Sequence, residues 1–127
     1  MNIHHVGYVV KSIEKFEKHL MFDEKIVSVV DDIQKAKLSL YKADNIYLEL
    51  IEPLSEDAFT YASLHKNGDH YHHLCYEVRD EAAANEIIKT RRMIKVLGPV
   101  YALLFDLDVM FAINKNKQIV EFLLCQK

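Results

Sequence analysis

Cysteine is scarce in this chain of 127 residues, which contains two, Cys75 and Cys125. Neither residue belongs to a Cys-x-x-Cys pair; Cys75 lies inside a predicted strand and Cys125 directly follows one. This spacing argues against a disulfide framework and against a thiol redox motif. We therefore expect the protein to work in a reducing compartment, and the cytoplasm is its predicted location.

The sequence also lacks a long apolar run, a signal-peptide pattern and a cluster of basic residues. No run approaches the roughly 20 apolar residues of a membrane span, and paired histidines follow Met1 closely. The net charge is -3, and apart from Arg91-Arg92 the basic residues stand singly, so a nucleic-acid backbone would find no basic face. We expect neither export, membrane insertion nor nucleic-acid binding, and a small molecule is the expected partner.

Composition and length are those of a folded domain. Apolar residues make up 50% of the chain and charged residues 28%, near the usual values for globular proteins. A domain of this length forms a sufficient hydrophobic core without disulfides or a structural metal. A bound metal would therefore serve chemistry rather than folding.

Hydrophobic periodicity predicts two copies of a β-α-β-β-β unit. Ser12 and Asp80 are the expected N-caps of the two helices, and Ser55 is the expected N-cap of a short helix between the copies. The predicted strands are Ile3 to Val10, Lys25 to Val30, Lys37 to Tyr41, Ile46 to Ile51, Tyr71 to Val78, Ile94 to Leu97, Val109 to Ile113 and Gln118 to Leu124.

These elements predict an α+β fold in which two tandem β-α-β-β-β modules form a curved, cup-like mixed sheet. The predicted single domain covers residues 1–127. Module one covers residues 1–54, the linking helix residues 55–68, and module two residues 69–127.

Two repeated motifs indicate that the chain is internally duplicated. The segment His4-His5-Val6-Gly7-Tyr8-Val9-Val10 recurs 68 positions later as His72-His73-Leu74-Cys75-Tyr76-Glu77-Val78. The segment Tyr47-Leu48-Glu49-Leu50-Ile51 is matched 72 positions later by Ile119-Val120-Glu121-Phe122-Leu123. Each half therefore contributes one histidine and one isolated carboxylate.

Strand alternation places His5, Glu49, His73 and Glu121 on the sheet face turned away from the helices. If that face is the inside of a cup, a buried carboxylate needs a hydrogen-bond or metal partner. Two imidazoles and two carboxylates suit one divalent cation: zinc, nickel, cobalt, manganese or iron. The alternatives are satisfied strand histidines and solvent-facing glutamates.

Their neighbours His4 and His72 are expected to pack or to form hydrogen bonds nearby, as candidate support for the metal ligands.

The same motifs resemble the vicinal-oxygen-chelate superfamily, which includes glyoxalase I, bleomycin-resistance proteins, extradiol dioxygenases and methylmalonyl-CoA epimerase. The resemblance is carried by His4-His5-Val6-Gly7, Leu48-Glu49-Leu50-Ile51-Glu52-Pro53, His72-His73-Leu74-Cys75-Tyr76-Glu77-Val78 and Ile119-Val120-Glu121-Phe122-Leu123. It is greatest for epimerase-like and small glyoxalase-like members. It implies metal ligation by His5, Glu49, His73 and Glu121, and proton transfer by Glu121 with Glu49 as the second catalytic carboxylate.

The chain departs from the epimerase pattern at two places. Epimerases have a glutamate just before the third strand, where this sequence reads Asp31-Asp32-Ile33-Gln34-Lys35. Asp32 is a candidate substitute for it, and Gln34 and Asp32 are the candidate substrate-binding residues. The segment Ala102-Leu103-Leu104-Phe105 is apolar, where epimerases tend to have a glycine-containing substrate loop. An apolar part of the substrate or a dimer contact would account for it.

The predicted function is that of a metal-dependent isomerase or lyase that removes a proton next to a carbonyl or thioester, as methylmalonyl-CoA epimerase does. One divalent ion per site is the predicted cofactor. A non-catalytic small-molecule binding or resistance protein, a glyoxalase I-type lyase and an extradiol dioxygenase are the alternatives. The resemblance also implies a homodimer.

Overall fold

The computed structural model of the protein describes residues 1–126. These residues form eight strands and three short helices. In chain order they are β1 (Ile3–Val9), α1 (Ile13–Glu17), β2 (Glu24–Asp31), β3 (Ala36–Ala43), β4 (Ile46–Pro53), α2 (Tyr61–Asn67), β5 (His70–Val78), α3 (Glu81–Thr90), β6 (Ile94–Ala102), β7 (Leu107–Ile113) and β8 (Ile119–Leu124). The predicted α+β fold of two tandem β-α-β-β-β modules is confirmed. Within residues 1–126, no helix is long and apolar enough to cross a bilayer.

All eight strands belong to one mixed, curved sheet in the order β2-β3-β4-β1-β5-β8-β7-β6. Within each module the first strand pairs in parallel with the last, β1 with β4 and β5 with β8. The modules join where β1 and β5 pair antiparallel. The first strand of each module therefore lies at the centre of the sheet.

The helices α1 and α3 cover the convex face of the sheet, as the alternation predicts. Tyr8, Val10 and Leu50 pack with Ile13 and Phe16 of α1. In module two, the residues that pack against α3 are Tyr76, Val78, Val120, Phe122 and Leu124. Burial of these apolar side chains, at about 25 cal/mol per Å², fixes which face of each strand remains for the concave side.

Two of the three predicted helix caps are confirmed. The side chain of Ser12 accepts a hydrogen bond from the backbone of Lys15 at 3.2 Å, and Asp80 accepts one from Ala83 at 2.9 Å. The prediction for Ser55 is wrong, because its hydroxyl donates to the side chain of Asp57 and α2 begins later. The linking segment therefore contains turns over residues 55–60 and a helix that is shorter than predicted.

The second module differs from the prediction in its third-last strand. β6 continues to Ala102, beyond the predicted end at Leu97, and pairs with β7 through register shifts. Residues 103–106 then form the turn between these two strands, called here the β6–β7 turn.

Glycine is required at one position in the junction between β1 and β5. Gly7 lies opposite His73, and a Cβ atom on Gly7 would lie 2.4 Å from the nearest atom of the imidazole ring. The ring occupies the space that a side chain on Gly7 would fill. The glycine therefore lets a side chain from module two lie over the backbone of module one.

We expect Gly7→Ala to lower the free energy of unfolding by about 1–3 kcal/mol, because the new methyl group overlaps a buried ring. Urea denaturation of the purified protein measures the change. In a His73→Ala background the same substitution should cost much less, since the ring is gone. Equal costs in the two backgrounds would contradict this explanation.

Candidate metal centre

Four strands bring the sequence-predicted residues His5, Glu49, His73 and Glu121 to one point on the concave face. His5 lies on β1, Glu49 on β4, His73 on β5 and Glu121 on β8. Their donor atoms all lie within 4.8 Å of one another. We call these four residues the central cluster.

The separations within the central cluster are short and nearly uniform. The Nε2 atom of His5 lies 3.1 Å from Nε2 of His73, 2.9 Å from Oε1 of Glu121 and 3.2 Å from Oε1 of Glu49. The Nε2 atom of His73 lies 2.9 Å from Oε1 of Glu121 and 3.4 Å from Oε1 of Glu49. Two nitrogens and two oxygens therefore face a common centre.

These separations fit one shared cation. Nitrogen and carboxylate oxygen bind zinc at about 2.0–2.1 Å, and neighbouring ligands subtend about 90–110° at the metal, so their atoms lie about 2.8–3.4 Å apart. The five distances in the central cluster fall between 2.9 and 3.4 Å. The donor set forms a possible divalent metal site, and it does not select among zinc, nickel, cobalt, manganese and iron.

One oxygen of the central cluster also needs a partner. Within residues 1–126, Oε1 of Glu121 is a buried atom that accepts no hydrogen bond, although two imidazole nitrogens lie near it. A buried carboxylate oxygen without a donor costs free energy. A cation among the four residues would satisfy it.

The central cluster is closed to solvent. His5 and His73 are 0% exposed, Glu49 4% and Glu121 3%. A surface cavity of about 270 Å³ lies on the convex face, lined by residues that include Tyr76, and it contains none of the four. Side chains outside the sheet therefore cover the site.

The β6–β7 turn supplies one part of this cover. The ring of Phe105 stacks on His5 with 5.1 Å between ring centroids. Leu104 packs into the apolar cluster of module one with Val9 and Leu38. Leu104 and Phe105 of the apolar segment thus pack against their own chain, whereas Leu103 is exposed.

The segment around α2 supplies the other part. Phe59 packs against Phe111 of β7 with 5.0 Å between ring centroids, and its edge contact with His72 has a centroid distance of 5.8 Å. Leu64 of α2 packs against the apolar cluster that contains Val9. The concave face is therefore apolar around its four polar residues.

Asp31 holds the β6–β7 turn against module one, a role that the sequence analysis missed. Its carboxylate accepts hydrogen bonds from the backbone of Ile33 at 2.9 Å and Gln34 at 3.0 Å, which closes the turn after β2. It also accepts one from the backbone of Leu103 at 3.2 Å. An aspartate at the end of a strand predicts the local turn, but no sequence signal predicts the contact with Leu103.

The two predicted substrate-binding residues lie in the same turn after β2. Asp32 is exposed, and the side-chain amide of Gln34 donates to Asp31 at 3.3 Å. Within residues 1–126, the ion pairs and hydrogen bonds of the central cluster include neither residue. Their role in binding a substrate stays a prediction.

The electrostatics of the central cluster couple its histidines to its carboxylates. Burial alone would lower the pKa of His5, but the nearby carboxylates of Glu49 and Glu121 raise this pKa well above its ordinary value. Burial would also lower the pKa of His73, but the carboxylates raise it, and Glu121 is the main cause of the increase. The site without a cation therefore retains protons on its imidazoles at pH values where a free histidine is neutral.

The carboxylates respond in the opposite direction. Burial alone would raise the pKa of Glu49 and Glu121, but the adjacent imidazoles lower both pKa values, with His5 the main cause for Glu49 and His73 for Glu121. Both carboxylates are ionised at neutral pH. Burial next to His73 lowers the pKa of the neighbouring His72 to about 3, so that ring is neutral.

Comparison with solved structures shows the same fold at low sequence identity. A hypothetical protein from Bacillus halodurans is 20% identical, with a TM-score of 0.86, 99% of this chain covered and 95% of that one. Methylmalonyl-CoA epimerase from Mycobacterium tuberculosis is 20% identical, with a TM-score of 0.80 and coverage of 96% and 86%. A variant of the Streptomyces coelicolor epimerase, solved in complex with 2-nitronate-propionyl-CoA, is 21% identical, with a TM-score of 0.83 and coverage of 98% and 94%.

Comparison by sequence identifies the family. A search of curated proteins gave no match. The family model of the Glyoxalase/Bleomycin resistance protein/Dioxygenase superfamily matches residues 4–111, most of the chain. The duplicated modules and the resemblance inferred from the histidine and glutamate motifs agree with this match, and the chain belongs to the Glyoxalase/Bleomycin resistance protein/Dioxygenase superfamily.

Proposed function

We propose that this protein is a metal-dependent enzyme that removes a proton next to a carbonyl or thioester group, as methylmalonyl-CoA epimerase does. The observation that carries the proposal is the convergence of His5, Glu49, His73 and Glu121 at metal-ligand separations in a buried site. The similarity in fold to methylmalonyl-CoA epimerases supports the same class of reaction.

The proposed cofactor is one divalent cation held by the two Nε2 atoms and the two carboxylates. Two neutral imidazoles and two ionised carboxylates carry a charge of about -2, which one such ion neutralises. When bound, the cation would act as a Lewis acid that stabilises the negative charge developing on a carbonyl oxygen. Burial strengthens this stabilisation, because the surrounding residues are apolar.

The two carboxylates are the proposed acid and base. Glu121 is ionised, and an ionised carboxylate has two oxygens with several lone pairs, so it can bind the cation and still accept a proton. Glu49 comes from the other module and faces the same centre. Proton removal by one carboxylate and proton return by the other is the exchange that an epimerisation requires.

A non-catalytic small-molecule binding protein is the second candidate function. The observation that favours it is the apolar character of the concave face, where Phe105 stacks on His5 and Leu104 and Phe59 pack into the neighbouring apolar clusters, because small-molecule pockets are mostly apolar. Ligand binding that survives a chelator, without turnover, would support this candidate. Metal-dependent exchange of a substrate proton would exclude it as the sole function.

Metal binding should release protons near pH 7. His5 and His73 have raised pKa values without a cation, so an incoming ion displaces imidazole protons. The affinity for the ion should therefore fall by up to about tenfold for each proton displaced when the pH is lowered by one unit. Calorimetric titration with zinc in buffers of different ionisation enthalpy measures the number released.

The raised pKa values of His5 and His73 also make the stability of the metal-free protein depend on pH. A histidine with a raised pKa stabilises the fold fully below its unfolded pKa of about 6.5, and this contribution disappears as the pH rises through the folded value. The metal-free protein should therefore lose stability from neutral to alkaline pH, whereas the zinc-bound protein should not. A metal-free protein that gains stability over this range would contradict the raised pKa values.

Glu121→Gln should lower the rate of substrate C–H exchange by about 10²–10⁴-fold, because the amide cannot accept the proton. It should also weaken zinc binding, since a neutral amide replaces a charged ligand. Exchange of deuterium from solvent into methylmalonyl-CoA, followed by mass spectrometry, measures the first effect. Glu77→Gln is the matched control, a glutamate of β5 outside the central cluster, and should leave both properties unchanged.

Phe105→Ala should speed the extraction of a bound ion by a chelator about fivefold to tenfold. The stacked ring contributes about 1 kcal/mol to closure of the site, and about 1.4 kcal/mol corresponds to a factor of ten. The measurement is the rate of zinc transfer to a chromophoric chelator. Leu103→Ala is the control in the same turn, because its side chain is exposed. Equal rates for the two variants would show that Phe105 does not close the site.

A further inference from the structure

Two β-bulges interrupt the pairing of β1 with β5, and each bulge adds one histidine. Between Ile3 and His5, β1 advances by two residues while β5 advances by one, so His4 is the extra residue. Between Gly7 and Tyr8 the reverse occurs, and His72 is the extra residue on β5. The bulges lie at positions related by the internal duplication.

The bulges change the directions in which these histidines point. Regular alternation would place His4 on the opposite face from His5, and His72 on the opposite face from His73. A bulge re-aims the extra side chain. In both modules the result is a contact between the Nδ1 atoms of neighbouring rings, 2.8 Å for His4 with His5 and 2.8 Å for His72 with His73.

We call His5 and His73 the inner rings and their neighbours His4 and His72 the outer rings. Aromatic side chains hold the outer ring in each module. His4 stacks on Tyr47 with 4.9 Å between ring centroids and meets the edge of Phe105 at 5.2 Å. His72 is 6% exposed and meets Phe59 at 5.8 Å. The outer rings are thus fixed by packing as well as by the hydrogen bond to the inner ring.

A short contact between two Nδ1 atoms needs one donor and one acceptor, and this requirement couples the two ends of the inner ring. When His5 or His73 donates from Nδ1, its Nε2 carries a free lone pair. When the inner ring accepts at Nδ1, a neutral ring carries its hydrogen on Nε2, where it points into the central cluster. The first arrangement suits a cation and the second excludes it.

We propose that His4 and His72 are positioning residues, each accepting a hydrogen bond at Nδ1 and so holding His5 and His73 with the Nε2 lone pair directed at the metal. The inference rests on the proposed metal site. It assigns to each module a pair of histidines, of which the inner one binds the ion and the outer one orients it. Partners of this kind change metal affinity by about 10–100-fold.

The test uses the full chain, zinc as the probe and the variants His72→Leu and His72→Asn. The leucine variant fills space but removes the acceptor, so the zinc affinity should fall by about 10–100-fold. The asparagine variant presents its side-chain oxygen near the position of Nδ1 and should retain most of the affinity. His4→Leu should lose less than His72→Leu, because His4 is partly exposed and water replaces its acceptor.

A spectroscopic measurement separates orientation from a general effect on packing. In the zinc-bound protein labelled with ¹⁵N, a scalar coupling across the hydrogen bond should join Nδ1 of His72 to Nδ1 of His73, with the proton on His73. His19→Leu is the control, an exposed histidine outside both pairs, and should leave the coupling and the affinity unchanged.

Three outcomes overturn the inference in distinguishable ways. If the unmodified protein binds neither zinc nor cobalt, nickel, manganese or iron(II), the proposed metal site fails and the inference fails with it. If zinc binds but the coupling is absent or the proton lies on His72, the metal site stands and the orienting role is wrong. If His72→Leu and His4→Leu both fold and bind zinc as the unmodified protein does, the orienting role is also wrong.

Discussion

The antiparallel pairing of β1 with β5 brings the four donors together. It joins the two modules and places His5 opposite Cys75 and Gly7 opposite His73. Imidazoles from different halves of the chain then meet at 3.1 Å, in space that Gly7 leaves open. The parallel partners of these strands bring one carboxylate from each side. Without this pairing each module would hold one histidine and one glutamate.

Charge compensation follows from that pairing. Two carboxylates that are nearly fully buried destabilise the fold unless protons or a cation neutralise them. The raised pKa values of His5 and His73 show how protons meet this need, and the spacing of the donors suits a cation in their place. Protons and the proposed cation would therefore compete for the same atoms.

The central cluster is buried, unlike clusters of histidine and glutamate that lie on a protein surface. Phe105 covers His5, Phe59 packs beside His72, and Asp31 ties the β6–β7 turn to the turn after β2. These contacts exclude water, which strengthens electrostatic interactions at the centre. The cover is made by residues of both modules and of the segment between them.

The residues alone predict the modules, the helix caps at Ser12 and Asp80, and the face of each strand that bears the four donors, because alternation, capping residues and repeated motifs can be read directly along the chain. They do not predict the start of α2, since Ser55 binds Asp57 instead of capping a helix. The folded chain is needed to establish the distances among the donors, the cover by Phe105 and the directions in which His4 and His72 point. Those features depend on register and packing between residues far apart in the chain, and a one-residue bulge reverses a side chain without leaving a signal in the sequence.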